Sequence, residues 1–402
     1  MKIFWIGPWS ADALSAQVRG SMAQALHDVG NEVGAVVIGD HGSWRNGGYD
    51  WVIYCPSPQS WAGKGVNQAR ISRAMAAFRG DVIVLGEKAA HLAPVAAAVR
   101  RSLRRKWKIV VDVRTVPIPR GETGGLERRA GRFWRQLKIG LCFADAWMAI
   151  TTRLKRVVDR RVDTSHLPCL IWESAADRVF LDDTGVSPAK DILACGHELN
   201  LLYLGSLSKG RRLDLAVRAM AELDNPGNRV GLHVFGKGDH RSELMQLCRA
   251  CKLTDVVHLW DVVPYAQVLT TIHTCDLGIL PLPDCQAWNT SSALKLYEYM
   301  GAGRPVLVSD IPAHRDMVGG RPFAFFMREY SPKGFIQALE CFLDLPAQER
   351  RALGRQAREF VRSGHTWHHR ATAIHRFLSG LIGGESMPAD ERDAAKQAAL
   401  VS

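Results

Sequence analysis

No apolar run in this 402-residue chain approaches the roughly eighteen residues a membrane-spanning helix needs, and Met1 to Pro8 contain no apolar core of signal-peptide length. A soluble or peripheral protein is therefore predicted. The nine cysteines are scattered, and only Cys248 and Cys251 show Cys-x-x-Cys spacing. Without a second pair or a nearby His-x-His, a zinc site is not expected, and both cysteines read as buried thiols on a helix around 243–252. An odd, unpaired set fits a reducing cytosol. There is no low-complexity segment and no short-period repeat, which excludes solenoids and extended tails as the main architecture.

What is present begins with charge. The net charge is +12, and the first 180 residues carry 27 Lys+Arg against 15 Asp+Glu, so the first half holds all of it and the remainder (25 against 25) is neutral. Such asymmetry suits an anionic partner. Residues 100–108 and 127–138 mix cations with Leu, Phe and Trp, as does a helix lying on anionic lipid, and a solvated charged face fits the same residues. No recognised nucleic-acid-binding motif accompanies them, so a nucleic-acid partner is not expected.

At this length two domains are expected. Lys2 to Gly7 is an apolar run ending in Gly-Pro, followed by a helical pattern from Ser10 to Val29 that stops at Gly30. Apolar runs at 32–38, 51–54, 81–85, 108–113 and 146–150 then alternate with helical segments, predicting a doubly wound parallel sheet. A second series opens at Leu201 and continues through 232–236, 256–260, 277–280 and 305–308. The expected organisation is an α/β pair of Rossmann-like domains facing across a cleft, with ligands at the carboxyl ends of the strands. The first domain covers 1–180 with a returning helix at about 366–382, the second covers 195–365, the polar stretch 177–198 is a linker, and 386–402 is a tail.

Asn289 to Ser309 combines hydroxyls, a carboxylate, a glycine stop and a buried strand. Thr290, Ser291 and Ser292 are N-cap residue types, and a helix starting near Ser291 would offer free N–H groups and a positive dipole end to an anion. Glu298 lies six residues beyond Ser292, roughly 9 Å along such a helix, where a carboxylate could accept hydrogen bonds from a ribose. A helix that fills a core through Leu294, Leu296 and Met300, with Glu298 solvated, fits the same residues.

Ordered landmarks now bring in a family. Leu204-Gly-Ser-Leu-Ser-Lys-Gly210, Val234-Phe-Gly-Lys-Gly238, His258-Leu-Trp-Asp-Val-Val-Pro264, Asp276 to Leu282 and 289–309 resemble, in sequence, the nucleotide-sugar domain of GT-B glycosyltransferases, particularly the family-4 retaining group, also called glycosyl transferases group 1. Ala144 to Lys155, Ala176 to Phe180 and Thr366-Trp367 resemble the remaining landmarks, so the resemblance spans about 1–380. It departs in two places: Thr290 stands where the family carries the first Glu of Glu-x7-Glu, and Ser206 where it carries the Arg of Gly-Arg-Leu.

The resemblance implies a glycosyltransferase that takes a UDP- or GDP-sugar as donor substrate, with no other cofactor and no metal, and transfers the sugar with retention. The absence of any Asp-x-Asp disfavours the metal-dependent GT-A class. Lys209, with Arg211 or Arg212, would neutralise the diphosphate; Lys209, Arg212 and the helix start near Ser291 would carry the leaving-group charge, with Lys295 as a further candidate. The donor set becomes Gly205, Ser206, Lys209, Arg212, Gly236, Val263, Thr290, Ser291, Ser292, Lys295 and Glu298. On the acceptor side stand Trp9, Ser10, Glu87, Asp112 and Arg114, with His91 as a candidate catalytic group. The basic first half suggests a lipid-linked or saccharide acceptor and an anionic membrane surface on the cytoplasmic side. A non-catalytic GT-B-like partner subunit and a sugar-nucleotide epimerase are the alternatives.

Overall fold

The computed structural model describes residues 1–10, 14–38, 48–57, 61–117, 126–182 and 186–384, with side chains described for all of these except 8–10, 14–19, 61, 62, 64 and 126–129. The tail expected at 386–402 lies outside the described residues. Two compact units are present. One takes Met1–Pro117, Glu127–Glu173 and the chain from Trp367; the other runs Ser174–Thr366.

The first unit holds seven strands: β1 (Lys2–Ser10), β2 (Glu32–Ile38), β3 (Trp51–Cys55), β4 (Val82–Gly86), β5 (Lys108–Val113), β6 (Ala146–Ala149) and β7 (Cys169–Ile171). Their order is β3-β2-β1-β4-β5-β6-β7, with every pair parallel. Strands covered on both faces need unbroken apolar runs, and all five residues of β4 are buried accordingly. Fully buried Trp5, Trp107 and Trp147 fill the layers beside the sheet. The helix Trp367–Gly383 belongs to this unit: Trp367 meets Trp172 at 6.4 Å between ring centres, and His375 Nδ1 lies 3.0 Å from Asn31 Oδ1.

The second unit holds β8 (Leu199–Leu204), β9 (Val230–Phe235), β10 (Val257–Trp260), β11 (Leu277–Leu280), β12 (Val306–Ser309) and β13 (Ala324–Met327), again all parallel, in the order β10-β9-β8-β11-β12-β13. Each sheet therefore reverses its winding once, between β1 and β4 and between β8 and β11, and ligands bind at such switch points. In the second sheet the β8–β11 register ends at Leu202. Beyond it the backbone N–H of Leu204 donates instead to the buried Tyr299 hydroxyl at 2.8 Å. Gly278 makes this feasible, because a Cβ there would lie 2.3 Å from the Tyr299 ring.

The stretch expected as a linker is instead packed on the second unit. Asp177 caps a short 3₁₀ turn, Arg178–Leu181, by accepting from the Val179 N–H, and Phe180 and Ile192 are buried in that unit's core. Leu181 and Ala189 pack against the same core, and Ala189 N–H donates to Thr274 Oγ1 at 2.7 Å.

Candidate donor site

At the carboxyl ends of β8 and β9 two loops lie against each other. Leu207 N–H donates to Lys237 O and His240 N–H donates to Leu207 O, at 3.0 and 2.9 Å. Such contact leaves no room for side chains. A Cβ on Gly236, which sits at φ +149, would lie 1.8 Å from Gly205 O, and one on Gly238 would lie 2.3 Å from Leu207 O. The glycines are thus set by backbone approach, and Gly205 and Ser206 form the floor beside them, with Ser206 O accepting from Tyr203 Oη at 2.9 Å.

The cations that follow divide sharply. Lys209 pairs with Glu243 at 2.5 Å and Arg212 with Asp214 at 3.1 Å; both side chains are about half exposed (52% and 53%). Arg212 takes a left-handed backbone, φ +52. Arg211 instead lies with its guanidinium 4.8 Å from the centre of the Trp288 ring, and Trp288 Nε1 donates to Gly210 O at 3.0 Å. Among the described residues no carboxylate pairs with Arg211. Of the two arginines that the sequence left open, the inward, uncompensated one is Arg211.

The helix predicted to start near Ser291 starts later, as Leu294–Gly301, with Ala293 at its N-cap and no side-chain cap. A short helix, Gln286–Asn289, precedes it and takes up the hydroxyls. Thr290 Oγ1 donates to Gln286 O at 2.9 Å, Ser291 Oγ donates to Trp288 O at 2.8 Å, and Ser292 Oγ accepts from Ser174 N–H at 3.0 Å. Ser and Thr hydroxyls compete in this way for nearby backbone groups, and here they build the turn between two helices. Leu296 N–H donates to Ala293 O at 3.0 Å and Ala293 N–H to Met317 Sδ at 3.3 Å, so what the helix start offers an anion is its dipole and the N–H groups of Leu294 and Lys295.

Glu298 is buried, with 1% of its surface exposed, and pairs with Lys295 one turn earlier. Burial raises its carboxyl above the usual range, Lys295 works against that rise, and Asp177 adds to it. The alternative of a solvated Glu298 on a core-filling helix therefore does not hold: Leu296, Tyr297, Tyr299 and Met300 do fill the core, and Glu298 is buried with them. Val263 is half-buried in the loop after β10, whose start is fixed by Arg241 donating to Trp260 O at 2.7 Å and to Leu259 O at 3.1 Å.

In the first unit, Glu87 is buried after β4 and its Oε2 accepts weakly from Arg114 N–H at 3.5 Å. His91 stands on the 3₁₀ turn Ala90–Leu92, and burial holds its imidazole pKa below the usual value while a backbone hydrogen bond with Lys88 works against that. Asp112 accepts from Trp172 Nε1 at 2.9 Å while the Arg114 guanidinium covers the same indole at 3.9 Å. Both therefore hold Trp172. Trp9 and Ser10 end β1, and their side chains lie outside the described residues.

The residues that the sequence reading missed are Trp288, Tyr299 and Ser174. Trp288 had one legible signal, its position just before the hydroxyl run; the other two are fixed only by tertiary hydrogen bonds.

Residues 192–360 match the family model "Glycosyl transferases group 1". No curated protein matches the chain by sequence. Among solved structures, it is similar to sucrose-phosphate synthase from Thermosynechococcus elongatus, at 15% identity and TM-score 0.71 over 96% of this chain and 100% of that one. It is also similar to HepE of Anabaena in complex with UDP and glucose, at 14% identity and TM-score 0.75 over 94% and 100%. A lipopolysaccharide outer core galactosyltransferase aligns at 13% identity and TM-score 0.61 over 96% and 99%. Residues 192–360 thus resemble a glycosyl transferases group 1 domain, and the two Rossmann-like units share the fold of the GT-B glycosyltransferases.

Proposed function

We propose that the protein transfers a sugar, with retention, from a UDP- or GDP-sugar to a lipid-linked or saccharide acceptor. The observation that carries the donor half is that Arg211, with no carboxylate partner among the described residues, rests on Trp288 in the short helix just before Leu294–Gly301, the helix that carries the buried Glu298. A similar fold holding UDP, in HepE, supports a nucleotide-sugar donor.

In this reading the bond from the anomeric carbon to the diphosphate oxygen breaks and one to the acceptor hydroxyl forms. The hydroxyl proton passes to an oxygen of the departing diphosphate. Charge grows on that leaving group, so fixed cations and dipoles aimed at it act mainly in the transition state. Arg211 and the helix start supply them. Lys295 is engaged by Glu298 until ribose hydroxyls take over that carboxylate, and then adds its charge. No metal is needed for this neutralisation.

The acceptor half draws on the first unit. Its exposed Leu103, Ile139 and Phe143 stand close in sequence to exposed Arg101, Arg104, Lys106, Arg132, Arg135 and Lys138, a composition suited to a peripheral position on anionic lipid. Among the described residues no helix is long and apolar enough to cross a membrane.

The test is a donor panel. Hydrolysis or transfer from one UDP- or GDP-sugar, with the product anomer read by NMR, is expected. Nucleotide binding without turnover on any donor and acceptor would favour a non-catalytic partner subunit instead.

A further inference from the structure

We infer that Ser174 is a positioning residue for the donor, acting through Ser292; this rests on the donor reading above. The two serines make a reciprocal pair. Ser174 N–H donates to Ser292 Oγ and Ser174 Oγ donates to the Ser292 carbonyl, both at 3.0 Å and both buried. Ser292 is two residues before the helix Leu294–Gly301, so its carbonyl and hydroxyl fix where that helix begins. The first-turn N–H groups point wherever this turn points them.

The rest of the helix is held by the same segment. A Cβ on Gly301 would lie 3.3 Å from Phe180 Cβ and 3.4 Å from Ala176 Cβ, so the last turn sits directly on 176–180. In the middle, Asp177 lies near enough to Glu298 to raise its carboxyl further. Opposite, the Tyr297 ring stacks on His365 at 5.2 Å and 16°, and His365 O accepts from Ala176 N–H at 2.9 Å. The donor helix is therefore clasped at its start, middle and end by residues 174–180, with 365–366 closing the side through the Ala176–Thr366 bridge. Of these contacts only the Ser174–Ser292 pair acts on the anion-binding end. The others bear on the helix as a packed body.

This divides stability from function in a measurable way. Ser174→Ala removes one of the two hydrogen bonds and Ser292→Ala the other, while the apolar contacts at 176–180 stay. Donor nucleotide affinity is measured by calorimetry for wild type, Ser174→Ala, Ser174→Thr, Ser292→Ala and the double variant, well below the unfolding midpoint, beside thermal melts. Each Ala variant should weaken binding of the nucleotide that wild type prefers by about tenfold. The double variant should lose less than the product of the two, because both bonds fix one turn. Ser174→Thr, which keeps the hydroxyl, should recover most of the affinity, and in the Ala variants kcat should fall as donor KM rises while the melting midpoints stay near wild type. Nucleotide affinity within twofold of wild type in both Ala variants would overturn the inference while leaving the donor reading intact. If wild type itself binds neither UDP nor GDP, the donor reading fails and this inference falls with it.

Discussion

The Arg211 guanidinium rests on the Trp288 ring, 4.8 Å from its centre, while the flanking Lys209 and Arg212 are each tied to a carboxylate. A cation held by an aromatic face keeps its full charge for a ligand, whereas an exposed ion pair has spent much of its own. Arg211→Ala should therefore raise the donor Kd roughly 30-fold or more, and Arg212→Ala less than about threefold. Fluorescence titration with nucleotide checks both, and the reverse ranking would return Arg212 to the site.

Gly236 offers a backbone test. A methyl group there would meet Gly205 O at 1.8 Å in a conformation that L-residues rarely adopt. Gly236→Ala should destabilise the second unit by about 2–4 kcal/mol in urea unfolding and abolish donor binding, since the two loops must separate. A variant with unchanged stability would show that the loops do not touch in solution.

The second unit also carries an acid sensitivity. His233 accepts from Trp260 Nε1–H at 3.1 Å, lies 2.8 Å from Asn200 Oδ1 and stacks with His258; burial, with His258 and His197 adding, holds its pKa down at about 3. Burial likewise holds His314 at about 4. Folded-state values below the unfolded one mean that the unfolded chain binds more protons as pH falls. The stabilisation is thus complete above about pH 6.5 and is lost progressively toward pH 3–4. By pH 5 each histidine should cost about 2 kcal/mol. Urea midpoints at pH 7.5 and 5 measure the loss, and His233→Gln should reduce the slope, with His314 and the also depressed His258 supplying the remainder. A slope unchanged by that substitution would contradict the assignment.

For the membrane surface, co-sedimentation with vesicles containing anionic lipid should show binding at about 50 mM salt that fades near 500 mM. Replacing Ile139 and Phe143, 39% and 45% exposed, by Ser should weaken it at least about tenfold. Absence of binding even at low salt would make these residues an ordinary solvated face.

Much of the fold was legible because buried parallel strands are apolar throughout: 32–38, 108–113 and 277–280 are strands with the bounds their sequence suggests. Strands β7 and β13 escaped notice. Cys169–Ile171 is only three residues long, and Ala324–Met327 is mostly half-buried. Of the candidate site, the segments were legible but not the contacts their side chains make. The hydroxyls of 290–292 look like helix caps in sequence, yet each finds a backbone partner set by a neighbouring turn or by Ser174, 118 residues away. The difference between Arg211 and Arg212 lies in their partners, the Trp288 ring 77 residues on for one and Asp214 for the other, which the sequence Arg-Arg does not announce.

The central claim is that the second unit grips a nucleotide diphosphate, with Glu298 on its ribose, and calorimetry with UDP and GDP on wild type and Glu298→Gln tests it most directly. The amide keeps the shape of the buried side chain and an oxygen that can accept from Lys295 but not the charge that pairs it, so some stability is lost and circular dichroism checks that the variant is folded before its affinity is read. The expected result is binding of at least one of the two nucleotides to wild type and a loss of roughly tenfold or more in Glu298→Gln, from the weakened hydrogen bonds to ribose. Equal affinity of the two proteins would remove Glu298 from the ribose, and no binding of either nucleotide to wild type would contradict the donor site as a whole.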